Sequence, residues 1–162
     1  TTIRKAEKLG YTLAPTEDVD LFCHQYELIY NRQGQAAPVA TTQIRSFLEQ
    51  ALTGQLARLY AISSPAGATA AIVAFVEGDD TSYAWIAGAD PAHNSTGATS
   101  LLYWQYFSLC EQKRFDFAGA NLPAVSFFKR GLGGDLVPYY ATEGFGSTWL
   151  ERAVYLKRFI AG

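Results

Sequence analysis

TSYAWIAGADPAHNSTGATSLLYWQYFSLCEQKRFDFAGA, residues 81–120, decides the fold. It opens on a run rich in aromatic and small apolar residues, 81–90, that reads as a strand. It closes on a second such run, 114–120. Between them, residues 98–113 carry Leu101, Leu102, Tyr103, Trp104, Tyr106, Phe107 and Leu109, which leave little polar circumference. Such a helix is covered on several sides. Strand, helix and strand in succession make a right-handed crossover, so 114–120 should return beside 81–90 and parallel to it. PAHNSTG, 91–97, reads as a loop.

Working outward, the preceding runs LARLYAIS (56–63) and ATAAIVAFVEG (68–78) are strands joined by SPAG, a Pro/Gly turn. Two aspartates, Asp79 and Asp80, mark the next turn. Links this short allow only an antiparallel meander. Towards the N-terminus, TIRKAEKLG (2–10) is a short helix stopped by Gly10, and YTLA a strand. Thr16 should then start a helix, with Glu17, Asp18 and Asp20 suited to its positive end. Val19, Phe22, Cys23, Tyr26, Ile29 and Tyr30 recur at helical spacing, and the pattern fades near NRQG. Residues 35–40 are a loop. Ile44, Phe47, Leu48, Ala51 and Leu52 form the stripe of another helix, ended by Gly54. Downstream, Asn121 and Pro123 open a short helix to about Arg130. LVPYYATE (136–143) and TWLERAVYLKRF (148–159) read as two closing strands. The expected class is α/β (α+β): a mixed, mostly antiparallel sheet with one central parallel crossover and flanking helices, in a single domain over 1–162.

Composition bounds the function. The 162 residues are 49% hydrophobic and 17% charged, which suits one folded domain. A net charge of −2 leaves no overall footprint for nucleic acid or anionic lipid. No apolar run approaches the roughly 18 residues of a membrane span. Cys23 and Cys110 have no paired spacing and read as buried thiols of a reducing, cytoplasmic compartment. His24 and His93 are the only histidines and lie far apart, which argues against a metal site. The absence of methionine leads us to expect a piece of a longer product.

YAWIAGAD, FDFAGA and FFKRGLGGDLVPYY, in this order and spacing, resemble the FemAB-like branch of the GNAT acyltransferase superfamily. That branch holds peptidoglycan-bridge aminoacyltransferases and related acetyltransferase domains. IRKAEKLGYTL resembles the start of their second GNAT domain, so the chain is expected to be the second half of a tandem protein. The resemblance implies transfer of an acyl or aminoacyl group to an amine. The implied co-substrate is acyl-CoA or aminoacyl-tRNA, and no cofactor is held permanently. A small molecule or a cell-wall precursor would supply the amine. An excised half would show an exposed apolar patch, form a homodimer, or lack its N-terminal partner half. A rival reading is a non-catalytic half kept for packing or acceptor binding.

Site residues carry two readings each. Lys129 lies in the last turn of a short helix, where the helix dipole favours a cation. By resemblance it lies at the donor site, where a fixed cation would stabilise the negative charge that acyl transfer develops. Arg130 is a second phosphate candidate. Phe127 and Phe128 read as core. Gly131, Gly133 and Gly134 suit a helix stop and tight turn, and also a close approach of substrate to backbone. Leu132 stands where the family often has an aromatic residue.

In acetyl-CoA-binding relatives the strand-to-helix loop carries Arg or Gln, then glycine, then a small residue, and its backbone N–H groups hold pyrophosphate. Here Asn94 replaces Arg/Gln, Gly97 and Ala98 open the helix, and Thr99 replaces the small residue. This departure fits a donor other than free acetyl-CoA, and plain capping by Ser95 or Thr96 explains the loop equally. Asp116, between two phenylalanines, faces opposite to them and would orient an acceptor amine or take its proton, or serve as a structural hydrogen-bonded Asp. Tyr139, Tyr140 and Tyr155 are candidate proton donors to a leaving group.

Overall fold

In a computed structural model of the chain, residues 2–32, 34, 36–140 and 152 are described. Five strands form one sheet in the order β1-β2-β3-β4-β5. They are β1 (Thr12–Thr16), β2 (Ala57–Ser63), β3 (Thr69–Glu77), β4 (Thr81–Ala89) and β5 (Arg114–Asp116). The helices are α1 (Thr2–Lys8), α2 (Val19–Arg32), α3 (Thr41–Thr53), α4 (Ala98–Leu109) and α5 (Pro123–Gly131). β1 to β4 pair antiparallel in sequence order. The crossover through α4 brings β5 beside β4 and parallel to it, as the pattern of residues 81–120 requires.

The sheet is covered on both faces, which explains why β3 reads as a continuous apolar run. On one face Leu59, Ala61, Ile72, Ala74, Trp85 and Ile86 meet Phe22, Tyr26, Ile44 and Leu48 of α2 and α3. On the other, Ile62, Val73, Phe75 and Ala84 meet Leu101, Leu102, Tyr103 and Tyr106 of α4, with Ala6 of α1. Phe75 and Tyr106 stack with ring centroids 3.5 Å apart and planes 2° from parallel. The Tyr106 hydroxyl donates to Glu77 Oε1 at 2.7 Å and lies 2.7 Å from Ser82 Oγ, which ties α4 to the β3–β4 hairpin. Burial raises the Tyr106 phenol far above its usual range.

Several boundaries differ from the sequence expectation, each for a local reason. Thr16 does not start α2, because it is the last residue of β1, paired with Leu59. The cap is Asp18, whose Oδ1 accepts the Leu21 N–H at 2.8 Å. Residues 91–96 wind into a 3-10 turn rather than a loop, because Asp90 Oδ1 accepts the Ala92 N–H at 2.8 Å. α4 stops at Leu109, not 113, where Cys110 turns extended to feed β5. β5 covers 114–116 rather than 114–120, because Ala118 takes φ +49°. Within 136–143, residues 136–140 are not a strand and 141–143 lie outside the described residues, and of 148–159 only Arg152 is described. Both cysteines are free, with Cys23 buried and its thiol pushed up chiefly by burial. Among the described residues no helix is long and apolar enough to cross a membrane.

Candidate active site

β4 and β5 share only a short ladder. Thr81, Ser82 and Tyr83 pair with Arg114, Phe115 and Asp116. Beyond Tyr83, β4 runs on to Ala89 with β3 alone as its partner among the described strands. Strand edges carry N–H and C=O groups that need partners. The edge of Ala84–Ala89 is therefore unpaired among the described residues, and the space between it and the chain after β5 is the candidate gap for an extended ligand arm. A bulge re-aims this stretch: Phe75 pairs with Ala84 and Ala74 with Ile86, so Trp85 is the extra residue. Trp85 and Ile86 then both lie on the α2/α3 face, with Trp85 4.4 Å from the Phe47 ring.

The opposite wall is the chain after β5, and two side chains hold its turn. Asp116 Oδ1 accepts the Ala118 N–H at 2.7 Å, stabilising the left-handed Ala118. Lys129 Nζ donates to Phe117 O at 2.6 Å and also to the carbonyls of Ala118 and Gly119. The three donors of the ammonium thus meet three carbonyls of one short segment. Burial pulls the Lys129 pKa below its ordinary value, and the Asp116 charge acts the other way. The glycines after α5 serve the same assembly. Gly133 has φ +90°, and a Cβ on Gly134 would lie 3.1 Å from the Phe117 ring and 3.2 Å from Lys129 O. Gly134 N–H donates to that Lys129 carbonyl at 3.2 Å.

At the far end of the gap lies the start of α4. Gly97 takes φ +85°, and Ala98 N–H donates to Thr96 Oγ1 at 3.2 Å. Three contacts from the N-terminal segment brace this loop. Thr2 packs its carbonyl against Gly97, Lys5 Nζ donates to Ser95 O at 2.8 Å, and the Tyr11 hydroxyl lies 2.6 Å from His93 Nδ1. The loop's motif is visible in the sequence, but this bracing is not, because it depends on α1 packing along α4.

The remaining candidates fall elsewhere. Arg130 is exposed. Tyr139 is exposed and exchanges hydrogen bonds with Asn121, receiving its Nδ2 at 2.8 Å. Tyr140 is 97% exposed. Tyr155 lies outside the described residues. Phe128 packs on Tyr103 of α4 as expected of a core residue, but Phe127 is 82% exposed and is not core, because α5 presents only one side to that cluster. Asp116 and Lys129, 13 residues apart in sequence, are brought to one turn. Sequence reasoning missed Tyr83, an exposed residue paired with Asp116 across the ladder, and the backbone of 117–119 as the wall itself. Period-2 alternation does identify the face Asp116 takes, but it carries no sign of where β5 ends. Two surface grooves lie away from the gap, one along α3 and one beside Glu17, Arg58 and Tyr60. Neither borders the free β4 edge.

The profile of the acetyltransferase (GNAT) domain family matches residues 1–130. No curated protein sequence matches the chain. Among solved structures, FemX superposes with a TM-score of 0.66 at 10% identity, over 82% of this chain and 52% of its own. The aminoglycoside antibiotic 6'-N-acetyltransferase AAC(6')-Ih from Acinetobacter baumannii gives 0.61 at 11% identity, over 85% and 100%. A predicted acetyltransferase from Clostridium acetobutylicum, solved with acetyl-CoA, gives 0.57 at 11%, over 83% and 95%. At these identities the likeness is one of fold.

Proposed function

Because this chain belongs to the GNAT acetyltransferase domain family, we propose that it moves an acyl group from an activated carrier to an amine in the gap between β4 and β5. The observation that carries this reading is the loss of pairing after Tyr83 and Asp116, which leaves Ala84–Ala89 with a free edge among the described residues. GNAT enzymes use acetyl-CoA as co-substrate, so acyl-CoA is the first donor to test. The donor arm would lie along the β4 edge, with its phosphates towards Gly97 and Ala98. Orienting the two reactants in one cleft supplies much of the rate, since the reaction needs no covalent enzyme intermediate.

A second donor, aminoacyl-tRNA, is favoured by one observation. Thr2 covers Gly97 on the side where its missing side chain would have left backbone open, and Asn94 replaces the usual Arg or Gln. Both weaken pyrophosphate capture. The likeness to FemX, over 52% of that chain, supports a tandem organisation with this domain as one half. Arg130 and Gly133 would then line the donor side, with Tyr139 beyond, and a cell-wall precursor amine would be the acceptor. Both donors belong to the cytoplasm, where we place the protein. The test is calorimetric titration of the chain with acetyl-CoA and with a short aminoacylated acceptor-stem RNA. Binding of either, abolished by bulky substitution at Ala87 on the β4 edge, supports the reading. Binding of neither contradicts it.

A further inference from the structure

The carbonyls of Phe117, Ala118 and Gly119 all face Lys129 Nζ. In a planar trans peptide the N–H of the next residue points opposite to the carbonyl. The N–H groups of Ala118, Gly119 and Ala120 must therefore point away from Lys129. The first is accounted for, since it donates to Asp116 Oδ1 at 2.7 Å on that far side. The other two have no partner among the described residues. Gly119 itself is uncrowded, since among the described residues a Cβ there would meet nothing within 4 Å. Asp116 Oδ1, which accepts the Ala118 N–H, therefore lies on the side of the turn away from Lys129.

We propose that Lys129 is a positioning residue that aims the Gly119 and Ala120 N–H groups as a donor pair for the acyl carbonyl oxygen. This rests on the acyl-transfer reading above. In the reaction the amine lone pair forms the new C–N bond, and the carbonyl π pair moves onto oxygen, where the two N–H groups hold the charge. That pair then returns, the C–S bond breaks, and sulfur leaves as thiolate. The proton lost by the amine ends on the thiolate. With an ester donor the leaving atom is oxygen and the balance is the same. Asp116, beside the pair, suits the positive nitrogen of the tetrahedral state. Fixed donors facing developing charge need no reorganisation when it appears. Lys129 thus acts through three carbonyls instead of touching the donor.

The test is amide NMR on the 15N-labelled chain, titrated with acetyl-CoA and, in a second arm, with a puromycin-type aminoacyl-amide nucleoside. Binding of either probe should move the Gly119 and Ala120 protons downfield, alongside amides of Trp85–Ala89. In Lys129→Met the first two shifts should vanish while those of β4 persist. Lys129→Arg should not restore them, because a planar guanidinium cannot meet three convergent carbonyls as an ammonium does; it also serves if the methionine variant fails to fold. Shifts along β4 with Gly119 and Ala120 unmoved would overturn the inference and leave the acyl-transfer reading standing. Full shifts in Lys129→Arg would overturn the clasp. No amide moving with either probe would overturn both.

Discussion

The carbonyl of Thr2 packs against Gly97, so that a Cβ on that glycine would lie 2.8 Å from the Thr2 carbonyl carbon. The start of α4 and the start of α1 are therefore one assembly. Gly97 also has φ +85°, which disfavours any L side chain. Gly97→Ala should cost about 1–3 kcal/mol. Thermal unfolding would register this, and donor affinity should fall with it. An unchanged melting temperature would mean that α1 does not pack there in solution.

Lys129→Met should lower turnover by about a hundredfold or more, as loss of preorganised donors does elsewhere. KM for the donor should change less than kcat. A variant with unaltered kcat would return Lys129 to the role of a helix-end charge.

The same lysine predicts a pH signature. Burial lowers its pKa below the ordinary 10.5. Activity that needs the ammonium should fall as pH rises through that lowered value, before a free lysine would titrate. Stability moves the other way. Between the folded and unfolded pKa values the unfolded chain binds more protons, so this group favours folding more as pH rises. Turnover and melting temperature measured across the alkaline range should diverge, and Lys129→Met should lose this alkaline limb.

Asp116 separates structure from charge. Asp116→Ala removes the acceptor of the Ala118 N–H, at a cost of about 1 kcal/mol. Asp116→Asn keeps an acceptor and should keep the melting temperature. If the carboxylate serves the amine, the asparagine variant still loses turnover. Equal activity in Asn and wild type would confine Asp116 to holding the turn.

Tyr106→Phe should preserve the stack on Phe75 but strand Ser82 Oγ and Glu77 Oε1, which the hydroxyl now joins. Ser82 is fully buried, so the cost should be about 1–3 kcal/mol in chemical unfolding. A neutral substitution would show that water replaces the hydroxyl.

Residues 81–120 made the sheet order legible because each link is local: short turns force antiparallel neighbours, and one helix forces one parallel return. The Lys129 motif was legible as unusual chemistry but not in its geometry. Three carbonyls converge on it only because Ala118 turns left-handed, and alanine gives no sequence signal for that. Asp116 two residues earlier was the available cue, since Asp commonly caps such a turn. The expected strand at 114–120 stops at Asp116 for the same reason. Phe127 was misjudged because α5 turns Phe128 to the core and Lys129 to the 117–119 turn, leaving Phe127 outward, a choice set by helix rotation rather than residue type. The bracing of the α4 start by Thr2, Lys5 and Tyr11 joins segments about 90 residues apart, beyond any local pattern.

The most direct measurement is a crystal structure of the chain with a non-transferable acyl donor, the thioether analogue of acetyl-CoA. The account predicts the donor arm in the gap, paired with the edge of Ala84–Ala89 and with its acyl end facing residues 117–120. Donor lying instead in the groove along α3, beside Phe47 and Leu56, or a β4 edge closed by pairing with 117–120, would contradict it.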